Sequence, residues 1–342
     1  MINIGRISYS LFWIALVFIF IIAIYYLVQK PFRQKYIISR KTFLISLVTT
    51  LLIFGSYLYY STENIGIKER HSQLVALYGK NEVDNKILNR NSWNILNGLA
   101  LTQGMVPSEP QGPSAFETDY LWFSNNPATK KVLILGNSHS KDLFNALYLN
   151  KEFFPDLEFA RFGMANVLFI HQVNALFKSP NFINADIVII AFRYSDLTIE
   201  LLPNFIQSLQ DESKDVVLVL NINEFDELNG KPVFDGYIES LLQYSPTSDE
   251  RSAFSSNDLK KLFFEMQGDT KDEINQSLRE IANTYNITVL NKMDFICDVS
   301  AETCDGITDD GYKAFYDYGH FTLEGAEHFG QRIHELNWLV IE

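Results

Sequence analysis

The sequence predicts an α/β fold in which helices cover both faces of a parallel β-sheet. From residue 131 onward, continuous apolar runs alternate with helical segments at a spacing of about 20–30 residues, the pattern of a doubly wound three-layer sandwich. The apolar runs lack polar alternation, as expected for strands that are buried on both faces. The predicted strands are Val132–Leu135, Glu158–Phe162, Ile187–Phe192, Val216–Ile222 and Ile287–Leu290, and the predicted helices are Lys141–Leu149, Ala165–Leu176, Thr198–Gln210 and Leu259–Tyr285, the last interrupted near Gly268.

The first 60 residues predict two membrane-spanning helices joined by a basic loop. Leu11–Val28 and Phe43–Tyr60 are apolar and long enough to cross ~30 Å of hydrocarbon. A cleaved signal peptide is the competing interpretation of the first span, but Arg6 is the only early cation and no small-x-small site follows Val28. The loop at residues 29–41 holds five Lys/Arg and no acid, so the positive-inside rule places it in the cytoplasm and the C-terminal domain outside.

The charge distribution separates this basic part from the rest of the chain. The formal net charge is −13, yet residues 1–70 carry eight Lys/Arg against two acids, so the remainder is strongly acidic. An acidic soluble part argues against nucleic-acid binding by phosphate neutralisation. Residues 61–129 are expected to form a linker or wrapping segment, with a helical stretch at 83–100 and four prolines in 103–128. The domain that carries the chemistry is therefore expected at residues 130–342.

Two short segments, far apart in the chain, hold the residue types of a nucleophilic catalytic triad. Residues 136–139 (Gly-Asn-Ser-His) follow the first predicted strand, so Ser138 lies where α/β sheets place their ligands. Asp317 and His320 precede a predicted helix entry. A serine hydroxyl needs an imidazole to take its proton and a carboxylate to orient that imidazole. The sequence therefore predicts Ser138 as nucleophile, His320 as base and Asp317 as orienting acid. Capping of the following helix is the alternative role of Ser138, and capping of the following turn is the alternative role of Asp317.

A tetrahedral intermediate on Ser138 also needs hydrogen-bond donors that point at its oxyanion. The first expected donor is the N–H of Ser138 itself. The second is the N–H of Gly163, after the second predicted strand, because glycine lets its backbone approach a substrate closely. His139 is expected to support the turn, since a base on the same tight turn could not reach both the Ser138 hydroxyl and an acid.

Together these motifs resemble the SGNH (GDSL-type) hydrolase superfamily. The resemblance is closer to the SGNH domains fused to bacterial acyltransferase-3 membrane proteins, because residues 315–326 are similar to the pattern aromatic-x-Asp-x-x-His-hydrophobic-Ser/Thr-x-x-Gly-Ala of that branch. It implies a parallel, flavodoxin-like sheet. The usual family residue at position 137 is Asp, and Asn137 is expected to keep the hydrogen-bonding shape of the turn.

The resemblance also bears on the remaining oxyanion donor. Simple SGNH hydrolases take a third donor from an Asn after the third strand, whereas this chain has Arg193 in that region and no Asn at residues 191–195. An arginine there is similar to the acyltransferase-linked branch. Asn137 and Arg193 are therefore expected substrate or oxyanion contacts, and a plain salt bridge is the alternative role of Arg193.

The resemblance extends to the membrane part, where residues 4–11 and 30–33 look like segments that flank the penultimate helix of acyltransferase-3 proteins. The chain is thus expected to keep only the last two helices of a larger bundle. The resemblance implies a protein of the bacterial cytoplasmic membrane that transfers an acyl group, typically acetyl, through an acyl-serine to a cell-envelope or surface polysaccharide such as lipopolysaccharide.

The same resemblance defines the expected partners and the alternatives. The expected partners are an acyl donor, a glycan acceptor, the membrane and a partner membrane acyltransferase that supplies the missing helices, and neither a cofactor nor a metal is expected. A membrane-anchored carbohydrate O-acetyl esterase and a non-catalytic glycan-binding remnant are the alternative functions.

Cys297 and Cys304 are the only two cysteines and lie in an Asp/Gly-rich loop before Asp317. In an outward-facing domain, a disulfide is the natural expectation. Two unrelated thiols are the alternative, and a zinc site would need further ligands that the neighbouring sequence lacks. The related domains carry a similar cysteine pair, which agrees with a disulfide.

Overall fold

The computed structural model describes residues 48, 52, 77–107, 112–165, 170–221, 224–243, 256–268 and 272–339. The two predicted membrane spans lie outside these residues, apart from Val48 and Leu52. No helix within the described residues is long and apolar enough to span a bilayer. The two spans and the orientation drawn from the basic loop therefore stay predictions.

Five parallel strands form the central sheet, in the order β2-β1-β3-β4-β5. This order confirms the predicted α/β class with a flavodoxin-like parallel sheet. β3 and β4 end earlier than predicted, at Ile190 and Val219. The strands are β1 Lys130–Gly136, β2 Leu157–Gly163, β3 Ile187–Ile190, β4 Asp215–Val219 and β5 Thr288–Leu290, and a separate hairpin pairs β6 Cys297–Asp298 with β7 Thr303–Cys304.

The helices that the sequence predicts are present, with shifted ends. The long segment at 259–285 is two helices separated near Gly268, as expected, and Val233–Gln243 is a helix that the sequence analysis did not identify. The helices are α1 Asn85–Asn91, α2 Asn94–Thr102, α3 Ala115–Thr118, α4 Ser138–Leu149, α5 Ile170–Lys178, α6 Pro180–Asn184, α7 Asp196–Asp211, α8 Val233–Gln243, α9 Ser256–Glu265, α10 Asp272–Tyr285, α11 Met293–Ile296 and α12 Leu323–Glu335.

The sheet has a hydrophobic core on each face. Val132 and Ile134 of β1 belong to one cluster of buried side chains, and Leu133 and Leu135 belong to the other. Successive side chains of a strand point to opposite faces, so an uninterrupted apolar run fills both cores at once. The first cluster includes residues of α4, α8, α9 and α12, and the second includes residues of α5, α7 and α10.

α4 and α12 pack closely together on one face of the sheet. A Cβ atom at Gly330 of α12 would lie 2.1 Å from the carbonyl oxygen of Ala146 in α4, so only glycine permits this approach. Ser138 begins α4 and His320 lies just before α12. The packing of these two helices therefore brings the two ends of the candidate site together.

Residues 77–107 pack against the same core. Trp93 and Leu96 are buried in the cluster that contains Ile134. The side chain of Asn145 in α4 donates a hydrogen bond to the carbonyl oxygen of Ser92 at 2.7 Å. The described residues 77–107 of the expected linker or wrapping segment thus pack against the α/β domain.

The predicted disulfide is present between Cys297 and Cys304, whose α-carbons lie 3.9 Å apart. It closes the β6–β7 hairpin. The next residue, Asp305, donates its backbone N–H to the carbonyl oxygen of Ile296 at 2.7 Å, which fixes the exit of the hairpin. The disulfide thereby anchors the start of the segment that leads to Asp317 and His320.

Candidate active site

Ser138 lies at the carboxyl end of β1, directly after a turn that requires glycine. Gly136 has a φ of +147°, and a Cβ atom there would lie 2.1 Å from the carbonyl oxygen of Ala191. Asn137 is the N-cap of α4, since its Oδ1 accepts a hydrogen bond from the N–H of His139 at 3.2 Å. Asn137 therefore caps α4, so the hydroxyl of Ser138 is not needed as a helix cap and can bond to another group.

Asp317 and His320 form a turn that holds both side chains in place. Asp317 Oδ1 accepts hydrogen bonds from the backbone N–H groups of Gly319 at 3.0 Å and His320 at 2.9 Å. The N-cap of the following helix α12 is Thr322, whose hydroxyl accepts from the N–H of Gly325 at 2.9 Å. Asp317 therefore caps the turn at residues 317–320, the alternative role that the sequence left open, whereas α12 has a cap of its own.

The structure brings the three predicted triad residues into one hydrogen-bonded chain. His320 Nε2 lies 2.7 Å from Ser138 Oγ. On the other side of the ring, His320 Nδ1 lies 2.8 Å from Asp317 Oδ2. With the proton on Nδ1 donated to the carboxylate, Nε2 accepts the hydroxyl proton of Ser138. This arrangement can deprotonate Ser138 as its oxygen attacks a carbonyl carbon.

Asp317 is held in its charged form. Burial alone would raise the pKa of this carboxyl, but the hydrogen bond and charge of His320, together with the N–H groups of His320 and Gly319, hold its pKa below the ordinary value. A carboxylate that stays ionised can orient His320 and stabilise the imidazolium that forms when Ser138 loses its proton.

Three aromatic rings surround the imidazole of His320. Tyr316 stacks on it with ring centroids 5.6 Å apart and 7° between the planes, and Tyr318 meets it edge-on at 5.2 Å. The ring of His139 lies 4.9 Å away on a third side. Burial and the nearby cations Lys292, Arg193 and Lys141 lower the pKa of His139 well below its ordinary value. A neutral His139 supports the site and adds no charge beside His320.

The expected second oxyanion donor is already engaged. The N–H of Gly163 donates to Oε1 of the buried Glu117 at 2.9 Å. The next two N–H groups are engaged as well, since Met164 donates to the carbonyl oxygen of Gly136 at 2.9 Å and Ala165 donates to Oε1 of Gln172 at 3.0 Å. The expectation that Gly163 binds the oxyanion therefore does not fit this geometry, because a carboxylate from α3 competes for its N–H.

Glu117 and Arg161 form a buried ion pair beneath the nucleophile turn, and sequence reasoning missed it. Arg161 Nη1 lies 2.6 Å from Glu117 Oε1, and both side chains are completely buried. Arg161 also donates to the hydroxyl of Ser140 at 3.0 Å and to the carbonyl oxygen of Asn137 at 3.3 Å. Burial lowers the pKa of Arg161, against the opposing effect of Glu117. The pair joins α3, β2 and the turn that presents Ser138.

Arg193 forms the salt bridge that the sequence analysis kept as its alternative role. Its Nε and Nη2 lie 2.6 and 2.8 Å from the two carboxylate oxygens of Glu224. The guanidinium also lies 4.7 Å above the ring of Tyr318, and nearly half of the side chain is exposed. Its backbone N–H donates to Asn137 Oδ1 at 3.2 Å. Arg193 thus stands next to the triad with a fixed guanidinium that solvent can reach.

Among the described residues, no group of three or more His, Cys, Asp or Glu side chains is arranged to hold a metal ion.

Comparison with known proteins gives one family and a set of similar folds. The model of the family "SGNH domain (fused to AT3 domains)" matches residues 108–335. No curated protein sequence is significantly similar to the chain. Several solved structures have similar folds at low sequence identity, and three of them illustrate the range.

The periplasmic domain of a lipopolysaccharide acetyltransferase from Salmonella ser. Paratyphi A is 12% identical, with 78% of this chain and 97% of that chain covered and a TM-score of 0.48. A GDSL-like lipase from Bacteroides thetaiotaomicron is 14% identical, with 60% and 87% covered and a TM-score of 0.33. An acetyl xylan esterase is 11% identical, with 60% and 98% covered and a TM-score of 0.35.

Proposed function

The chain belongs to the family of SGNH domains fused to AT3 domains, and from this premise we propose that it transfers acyl groups through an acyl-enzyme on Ser138. As a member of this family it is an acyl-transferring or ester-hydrolysing enzyme. The observation that carries the proposal is the unbroken chain of hydrogen bonds from Ser138 Oγ through the imidazole of His320 to Asp317, at 2.7 and 2.8 Å.

The first half of the reaction forms the acyl-enzyme. His320 Nε2 takes the hydroxyl proton while Ser138 Oγ forms a bond to the acyl carbonyl carbon, and the carbonyl oxygen becomes an oxyanion beside the N–H of Ser138. Asp317 stabilises the imidazolium throughout. When the intermediate collapses, the bond to the leaving group breaks and His320 returns the proton to it. An ester between the acyl group and Ser138 remains.

In the second half, an acceptor hydroxyl resolves that ester. His320 takes the proton of the acceptor while the acceptor oxygen attacks the same carbonyl carbon, and Ser138 leaves with the proton restored. We infer that the acceptor is a hydroxyl of a cell-envelope or surface glycan and that the acyl group is acetyl. Family membership supports this choice, because the matched domains occur fused to acyltransferase domains.

We also propose that the catalytic domain lies outside the cytoplasm. Support comes from the basic loop at residues 29–41, which predicts that the chain after residue 60 lies outside, and from the disulfide between Cys297 and Cys304. The proposed location is the bacterial cytoplasmic membrane with the C-terminal domain in the periplasm or outside the cell. Carbohydrate O-acetyl ester hydrolysis is the second function, since water can replace the glycan in the same half-reaction.

The exposed guanidinium of Arg193 above Tyr318 is proposed as a contact for the glycan. An aromatic ring and an arginine fork can together hold a sugar ring and an anionic substituent. If that is its role, Arg193→Ala should leave hydrolysis of a small ester mostly intact and weaken transfer to a glycan. A collapse of small-ester hydrolysis in this variant would instead mean that Arg193 acts on the reacting atoms.

The proposal is tested with the full-length chain and p-nitrophenyl acetate, with and without envelope oligosaccharides as acceptor. The wild-type chain should release p-nitrophenol, and mass spectrometry should find acetylated oligosaccharide when acceptor is present. Ser138→Ala should abolish both. Release of p-nitrophenol without acetylated sugar from any acceptor would favour the esterase, and turnover that persists in Ser138→Ala would contradict the serine mechanism.

A further inference from the structure

We propose that the side-chain amide of Asn137 is an oxyanion donor and acts together with the N–H of Ser138. The inference rests on the proposed function, because it concerns the tetrahedral intermediate formed on Ser138. It assigns to Asn137 a catalytic contact in addition to its observed role as the N-cap of α4.

Five backbone N–H groups at the carboxyl ends of β2 and β3, the strands next to β1, are engaged elsewhere. On the β2 side, the N–H groups of Gly163, Met164 and Ala165 all have acceptors. On the β3 side, Ala191 donates to the carbonyl oxygen of Leu135 at 2.8 Å and Arg193 donates to Asn137 Oδ1. An oxyanion on Ser138 needs two or more donors aimed at one point, so a donor is required besides the Ser138 N–H, and a side-chain amide can supply it.

The orientation of the Asn137 amide is fixed by two backbone donors. Its Oδ1 accepts from the N–H of His139 and from the N–H of Arg193, both at 3.2 Å. Backbone N–H groups can only donate, so the atom that faces them must be the oxygen, and the other position must be the NH₂ group. These two hydrogen bonds fix the amide through its oxygen only, so both N–H donors of the NH₂ group are still available.

The NH₂ group of Asn137 has no acceptor in the part of the chain that the structure describes. This nitrogen is not enclosed by the protein either. The buried side-chain atoms without a partner in that part of the chain do not include it, and Asn137 as a whole is only partly buried. A pre-oriented donor on the residue next to the nucleophile, open to a substrate, has the properties that oxyanion stabilisation requires. A carboxylate at this position could accept the same two N–H groups but could donate nothing.

The test compares Asn137→Asp and Asn137→Ala with the wild-type full-length chain on p-nitrophenyl acetate. Asp preserves both acceptor bonds and removes the donor, whereas Ala removes the donor without adding charge. Both variants should lower kcat by about 10²–10³-fold with KM changed by less than about threefold, as the loss of one oxyanion donor does. The affinity for phenylboronic acid, which forms a tetrahedral adduct with an active serine, should fall by a similar factor.

The controls separate this inference from the proposed function. Asn184→Asp, an exposed substitution that adds the same charge, should keep the wild-type kcat. If kcat in both Asn137 variants stays within about threefold of wild type, or falls in Asn137→Asp alone, the donor role is wrong while the proposed function stands. If Asn137→Ala does not fold, kcat and boronate affinity of Asn137→Asp decide. A wild-type chain without Ser138-dependent turnover would instead contradict the proposed function.

Discussion

At the scale of single residues, neighbouring aromatic rings hold the base His320 in place in addition to the acid Asp317. The ring centroids of Tyr316, Tyr318 and His139 lie 4.9 to 5.6 Å from that of His320, and the Asp317 carboxylate fixes its Nδ1 edge. A ring confined in this way keeps Nε2 at the Ser138 hydroxyl without a large loss of freedom on binding substrate.

Lys292 should make the stability of the chain rise in mildly alkaline solution. It is buried, its Nζ donates to the carbonyl oxygen of His139 at 3.3 Å, and burial lowers its pKa to about 8. In the unfolded chain the pKa of a lysine is about 10.4. Between these pH values the unfolded chain binds the proton and the folded chain does not, so the free energy of unfolding increases with pH.

Urea unfolding of wild type and Lys292→Met from about pH 7 to about pH 10 measures this effect. The stability of the wild type relative to Lys292→Met should increase as the pH rises. Lys261→Met, which replaces an exposed lysine, is the matched control and should track the wild type. Parallel curves for wild type and Lys292→Met would show that Lys292 does not lose its proton in the folded chain.

At the scale of elements, the nucleophile turn rests on a short helix that the sequence assigned to a linker. α3 is only four residues long and carries a capping box, in which Ser114 and Glu117 bond reciprocally. Glu117 then reaches the completely buried Arg161 and the N–H of Gly163. Removing one partner of such a pair leaves an uncompensated buried charge, which is far more costly than the loss of a surface pair.

Glu117→Gln should therefore lower the free energy of unfolding by about 3–5 kcal/mol. The matched control is Glu239→Gln, which breaks the exposed pair between Lys231 and Glu239 at 3.1 Å and should cost less than about 1 kcal/mol. Urea unfolding followed by tryptophan fluorescence gives both values. Equal losses in the two variants would mean that the buried pair does not stabilise the turn.

The disulfide should stabilise the segment that leads to the acid and base. Closing so short a loop is worth roughly 2–3 kcal/mol by chain entropy, so Cys297→Ser with Cys304→Ser should lower the free energy of unfolding by that amount. Reduced wild type is the control and should unfold like the double variant. Mass spectrometry of a non-reduced digest checks the bond itself, and two free thiols in that digest would refute it.

The strands and the triad could be predicted from sequence, whereas the surroundings of the triad could not. Continuous apolar runs such as 132–135 identify strands because both faces of the sheet are covered. The triad residues lie in two short sequence motifs, which can be recognised without knowing the fold. The partner of Gly163 was not predictable, because Glu117 lies in a different segment and meets it only through the fold. The Ser114-x-x-Glu117 pattern marks a helix start but does not say that its carboxylate turns inward.

At the scale of the whole molecule, the predicted topology sets the compartment in which the enzyme works. The described residues include neither predicted span in full, so the prediction of the topology is based on the five cations of the loop at 29–41. An alkaline phosphatase fused after Glu342 should be active, because that reporter works only outside the cytoplasm. A fusion within the loop should be inactive. The opposite pattern would remove the basis for a glycan acceptor outside the cell membrane.

Covalent labelling of the nucleophile tests the central claim most directly, namely that Ser138, His320 and Asp317 work as one unit. An alkyl fluorophosphonate bonds to a serine whose hydroxyl is activated by a neighbouring base. Peptide mass mapping of the labelled full-length chain should find the phosphonyl group on Ser138 alone. Labelling should be absent in Ser138→Ala, nearly absent in His320→Ala and slowed less in Asp317→Ala, since Asp317 orients the base without transferring the proton. A label on another residue, or an undiminished rate in His320→Ala, would contradict the account.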